Sequence, residues 1–268
     1  MTHQFRRFAV FLSGATFAFV AAPAAAQSDD GDRGWTVTVG AGVQTYAKYP
    51  GGDSYGINPW PIVGLRREGS PMPFEAPDDG FDFEILGGDS VINFGPAVRF
   101  QNKREADDVG AAVGDVGFTV EAGGFAELYP SERFRIRAAL RQGIGGHDGL
   151  TGDLAADLIL RDRDSYIFSI GPRLRWADND YHDAYFGITP AVAAATGLPV
   201  FNPGGDFYAL GATAGLTRMV GRDWGLELFA GYERLMGDAA DSPIVRNFGS
   251  RDQFSGGIGL FYNFTIRR

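Results

Sequence analysis

Arg133, Arg135, Arg137 and Arg141 stand at odd positions of one short segment, and Glu121 and Glu127 stand at odd positions of the segment before it. On an extended chain, side chains two apart share a face, so each set forms one charged line. The turn Pro130 to Glu132 joins the two segments, and antiparallel pairing brings the glutamates within reach of the arginines. Arg173 and Arg175 repeat the pattern further along. Such rows do no covalent chemistry. Unpaired, they would line a pore and select solutes by their field; paired, they would fill an interior. The opposing signs favour a plugged or very narrow one.

Other chemistry finds weaker support. Beyond the leader described below there are two histidines, His147 in GGHDG and His182 in DYHDAY. A Ser, His and acid set needs mutual hydrogen-bond reach, and no serine stands near either histidine on the same face. Both are expected as solvated turn residues at the periplasmic rim. Asp238, Asp241 and, beyond them, Asp252 offer oxygen ligands of the kind a hard cation takes, but loop acids of this sort form turns and caps. No metal and no cofactor is assigned. Asp238, Asp241, Arg246 and Arg251 stay as loop candidates for partner contact. No glycine-rich nucleotide cradle follows a strand and opens a helix. The chain is not expected to be an enzyme.

The elements that must carry the charged rows have a period of two. Phe134, Ile136, Ala138 and Leu140 alternate with the arginines, and Val116, Phe118, Val120, Ala122 and Leu128 with the glutamates. The closing strand places Phe254, Ile258, Leu260, Tyr262 and Phe264 on one face and Ser255, Gly257, Gly259 and Asn263 on the other. One face suits lipid and the other a lumen. An arginine on the lipid face would cost about 2 to 4 kcal/mol at the midplane, so the charges point inward. Trp35, Trp176, Trp224, Tyr46, Tyr185 and Tyr262 fall near strand ends, as interfacial girdles require.

The pattern predicts an all-β fold, a transmembrane antiparallel up-and-down β-barrel of about twelve strands, or ten if a short strand near 81–86 is not formed. The ninth is expected near His182 to Ile188. A strand over 57–67 contains Pro59 and Pro61, so it must start irregularly or sit where a ladder bond is missing. With the termini periplasmic, loops 47–56, 189–205 and 237–252 fall outside. Segments 146–150, 177–181 and 220–223 become inner turns. The long connections 68–80 and 104–114 also fall inside and break the expected asymmetry of long outer loops and short inner turns.

Composition bounds the setting. Arg6 and Arg7 precede an apolar run to Ala22 and small residues at Ala24 and Ala26, the pattern of a cleaved secretory leader over 1–26. An acidic, disordered stretch is expected over 27–34, and one barrel domain over 35–268. Loss of the leader moves the formal charge from -9 to -11, because it holds two arginines and no acid. That excludes a general nucleic-acid binder, which needs a basic face. There are no cysteines, and no later apolar run approaches the roughly 20 residues of a spanning helix.

Three stretches resemble one family. YERLMGDAADSPIVRNFGSRDQF (232–254), DAYFGITPAVAAATGLPVF (183–201) and NPWPIVGLRREG (58–69) are similar to segments of the MipA/OmpV outer-membrane proteins, although Thr265 to Arg268 extend past the terminal aromatic. The resemblance implies an outer-membrane barrel. It also implies a possible scaffold role for murein enzymes, bringing together a lytic transglycosylase and a bifunctional murein synthase. The expected docking surface is the pair of connections 68–80 and 104–114 on the periplasmic side. A narrow solute channel and a surface adhesin or antigen are the rival expectations.

Overall fold

The structure, a computed structural model, describes residues 34–85 and 90–267. The expected leader and the acidic stretch up to residue 33 lie outside them. Among the described residues eleven strands form one sheet: β1 (Trp35–Ala47), β2 (Tyr55–Arg67), β3 (Phe81–Asp82), β4 (Ile92–Gln101), β5 (Thr119–Ser131), β6 (Phe134–Ile144), β7 (Leu150–Asp162), β8 (Tyr166–Ala177), β9 (Asp206–Met219), β10 (Trp224–Leu235) and β11 (Asp252–Ile266). The order is β2-β1-β11-β10-β9-β8-β7-β6-β5-β4-β3, with every neighbouring pair antiparallel. Among the described residues five short helices lie in the connections: α1 (Ala106–Val109), α2 (Asn179–Phe186), α3 (Pro190–Thr196), α4 (Gly237–Asp241) and α5 (Pro243–Phe248).

The alternation reads outward as lipid-facing. Val39, Val63, Leu65, Ile136, Leu140, Leu154, Ile170, Leu210, Ile258 and Leu260 are all exposed. An apolar band of this extent has no place against water and is the surface a spanning barrel shows to hydrocarbon. Among the described residues no helix is long and apolar enough to cross a membrane. At the end where β1 begins and β11 finishes, Trp224 and Tyr262 pack with ring centres 5.1 Å apart. Tyr185 does not join a girdle; it is fully buried beneath the loops at the other end.

Two features correct the expected topology. Residues 179–186 form α2, not a strand. Asp178 caps it by accepting from the Tyr181 backbone N–H (3.1 Å), and Tyr181, His182, Tyr185 and Phe186 are its buried residues. Their spacing of one and four positions is helical. The second correction lies at 68–80. This connection climbs inside the barrel, so β3 runs in the same direction as β2, and the odd number of strands still leaves β1 and β11 with their outer ends together. β3 is real: its ladder to β4 continues as the N–H groups of Phe83 and Ile85 donate to Pro96 O and Phe94 O (3.2 and 3.0 Å).

The turns therefore sort differently. The tight turns after β5, β7 and β9 share the end of the barrel with the start of β1. The connections after β1, β4, β6, β8 and β10 gather at the opposite end. With short turns periplasmic and long loops outside, segments 104–114, 146–150 and 177–181 are outer, against expectation, while 220–223 is inner as expected.

The wall has one seam, between β2 and β3, with no ladder across it. Lys48 donates to Ser54 O and Glu68 to Gly34 O (both 2.9 Å), so the even-numbered residues of β2 turn their backbone groups toward β1. Pro59 and Pro61 then face the seam, where the donors they lack have no acceptor to serve.

Candidate functional site: the barrel interior

The inward positions of β4 to β8 bring together most of the predicted charged network. Arg135, Arg137, Arg141, Arg173, Glu121 and Glu127 are all at most 6% exposed. Register explains the pairing: Glu127 lies opposite Arg137, Arg135 opposite Asp157, and Asp153 opposite Arg175. Arg135 sits among three carboxylates, Asp79 (2.6 Å), Glu127 (2.9 Å) and Asp157 (2.7 Å). Arg141 contacts Glu121 (3.2 Å) and Asp153. Arg175 contacts Asp153, Asp78 (3.0 Å) and Glu233 (2.9 Å). Arg133 is the exception. It follows Glu132 in the β5–β6 turn, exposed at the inner end, outside the network.

The sequence pattern did not reveal the partners supplied by 68–80. Asp78 forks onto Arg173, Nε to Oδ2 at 2.8 Å and Nη2 to Oδ1 at 3.0 Å. Asp79 meets Arg135, and Asp82, just beyond the segment in β3, meets Arg137. Phe74 lies under the Arg135 guanidinium at 4.8 Å. Lower down, the Met72 N–H donates to Asp164 Oδ1 (2.9 Å) and Met72 O accepts from Arg161 (2.7 Å). The segment is thus a plug, anchored at the inner rim and locked to the arginine row at mid-height. The space remaining where Asp78, Asp79, Arg99, Arg137 and Arg175 converge is about 10 Å³, room for roughly one water. The one available signal was the pair of adjacent acids in PDDG, within a Pro-rich stretch too long for a turn.

The outer end is closed by a lid with its own core, built from Tyr49, Val109, Tyr181, Tyr185, Phe186 and Ile244 among others. Ser242 Oγ donates to Phe186 O (2.7 Å), tying α5 to α2. Arg104, at 2% exposure, donates to Tyr185 O (3.0 Å) and Gly114 O (3.3 Å); burial pulls its guanidinium below the usual value. Burial likewise raises the Tyr181 and Tyr185 hydroxyls.

Both histidines belong to this lid and are buried, against the expectation of solvated residues at the periplasmic rim. The Gly149 N–H donates to His147 Nδ1 (3.1 Å), so His147 Nε2 carries the hydrogen that faces Glu121 Oε1 (3.2 Å). His182 Nδ1 lies 2.8 Å from Asp178 O, and its Nε2 lies 3.1 Å from Asp206. They are packed against aromatic rings, with His147 4.9 Å from Tyr181.

The predicted partner-contact residues are also engaged within the lid. Asp241 accepts from Arg246 (2.7 Å) and Arg251 (3.1 Å), and Asp238 accepts from the Gly204 N–H (2.8 Å). Asp252 instead accepts from the Tyr232 hydroxyl (2.6 Å). Among the described residues no group of acids or histidines is arranged to hold a metal ion.

The profile of the MipA family, described as MltA-interacting protein MipA, matches residues 39–264. No curated protein matches. Among solved structures, the chain is similar to the COG4313 outer membrane channel from Pseudomonas putida F1 at 10% identity and a TM-score of 0.44, covering 90% of this chain and 100% of that one. It is also similar to the translocator domain of autotransporter NalP from Neisseria meningitidis at 13% identity and a TM-score of 0.41, covering 88% and 90%. With the profile spanning most of its length, the chain belongs to the MipA family.

Proposed function

We propose that this outer-membrane barrel is a non-catalytic scaffold that holds a lytic transglycosylase and a bifunctional murein synthase at its periplasmic end. The observation that carries the reading is the obstructed lumen. A plug bonded to the arginine row and a lid with a packed core leave the two ends as the surfaces free to act. The family description, an MltA-interacting protein, supports the first partner class.

The docking surface differs from the expected one. Segment 104–114 lies at the outer end, and most of 68–80 is inside the barrel. The periplasmic rim instead presents exposed Arg67, Arg133, Arg163, Arg218 and Arg222 interleaved with exposed Glu132, Asp162 and Asp223, a rim of mixed charge whose arginines would meet acids on a partner. Capture of the transglycosylase and the synthase from envelope extracts tests this. The pair Arg163→Glu and Arg222→Glu, in turns remote from the plug's arginine row, is expected to reduce capture of both. Undiminished capture, or none by the unaltered protein, would remove the proposal.

A further inference from the structure

The seam between β2 and β3 is bridged at its outer end by side chains. Asn102, just past β4, donates through Nδ2 to Asn58 Oδ1 (3.2 Å) and to the Tyr46 hydroxyl (3.3 Å). Beside this bridge opens a cavity of about 400 Å³, bordered by Lys48, Asn58, Asn102, Lys103, Asp108 and Phe118. Lys48 contacts Asp108 at 3.1 Å and Lys103 contacts Glu105 at 2.5 Å, their side chains 45% and 64% exposed. An ammonium has three N–H groups, and one carboxylate contact leaves each lysine able to take a second anion.

An apolar stripe leads away from the cavity along the outer wall. Phe118 stacks on Phe100 with ring centres 6.0 Å apart, and Phe100 packs on Phe81 at 5.6 Å; all three are exposed. Cations above and hydrocarbon-facing rings below match an amphiphile with an anionic head. A polypeptide strand is a poor occupant, because Pro59 and Pro61 withhold donors from the β2 edge. The cavity lies where the strands meet the outer loops, at the level of the outer leaflet, which in this membrane is made of phosphorylated, acylated glucosamine lipid.

We propose that this cavity is a lipopolysaccharide site, with a glucosamine phosphate between Lys48 and Lys103 and an acyl chain along the Phe81, Phe100 and Phe118 stripe. Native mass spectrometry of the full chain, extracted from outer membranes in mild detergent, tests it. The unaltered protein is expected to retain lipopolysaccharide, and Lys48→Gln with Lys103→Gln to retain roughly tenfold less. Arg163→Glu with Arg222→Glu, at the opposite end, is expected to retain as much as the unaltered protein. Heat-modifiable migration checks folding, and Lys103→Gln alone serves if the double variant does not assemble. Equal retention by a folded lysine variant, bound glycerophospholipid in place of lipopolysaccharide, or an unaltered protein free of lipid would each overturn the assignment.

Discussion

Asp78 and Arg173 are joined by two parallel hydrogen bonds, 2.8 and 3.0 Å long, although one belongs to a loop and the other to the barrel wall 95 residues later. The same aspartate also contacts Arg175. This fork is the upper fastening of the plug, while Met72 on Asp164 and Arg161 is the lower.

Asp78→Asn should therefore loosen the plug. Removing one partner of a buried pair costs about 3 to 5 kcal/mol, with Asp157 still holding Arg173 and keeping the effect near the lower figure. A fall in the urea midpoint of the vesicle-inserted barrel is expected, with larger current steps in planar bilayers than the unaltered protein gives. If stability and conductance both stay unchanged, the plug is not fastened there.

Arg135→Met should be more damaging. It leaves Asp79, Glu127 and Asp157 facing one another without their shared cation. A loss of about 3 to 5 kcal/mol is expected, partly recovered when Asp157→Leu accompanies it, because removing both charges avoids an unpaired one. The temperature of the heat-modifiable gel shift reads this. A double variant no better than the single would contradict it.

The lid should fail separately from the wall. Phe186→Ala removes a fully buried ring from the lid core, a loss of about 3 to 5 kcal/mol. Proteolysis of intact cells should then nick 178–205 while the barrel fragments remain folded. Loss of the whole barrel, or unchanged protease resistance, would count against two separable units.

Gly225 has no room for a side chain, since a Cβ there would enter the ring of Phe261 on the neighbouring strand. Gly225→Ala should cost about 1 to 3 kcal/mol through overpacking, and Phe261→Leu should recover part of it. Folding yields from urea into vesicles compare the three variants, and an undisturbed Gly225→Ala would show that the ring moves freely.

Much of the wall could be read from residue order. Alternation placed Phe254 to Phe264 outward and Arg135, Arg137 and Arg141 inward, because a strand's faces are fixed by its period of two. Pro59 and Pro61 pointed to an irregular start or a missing ladder bond, because proline withholds the donor a ladder needs, and the register of β2 on β1 decides for the missing bond. α2 was not legible as a helix, although Asp178 as cap, with Tyr181 and Tyr185, and His182 and Phe186, four apart, form a helical pattern. Its aromatic content instead suggests a strand.

The sequence by itself determined what each strand shows to lipid and to the lumen, since that depends only on neighbours along the chain. Which end each loop occupies, and which acids meet which arginines, only the tertiary structure decided. Counting strands assumes that every connection stays outside the wall, but 68–80 returns through the interior and reverses the direction of all that follows. The supposed strand at 182–188 reverses it again, so the loops beyond fall on the expected side while those between do not. A chain crossing a lumen leaves no period in its sequence. Its position is fixed by charges such as Asp78 and Arg173, whose attraction depends on distance in space rather than on separation along the chain.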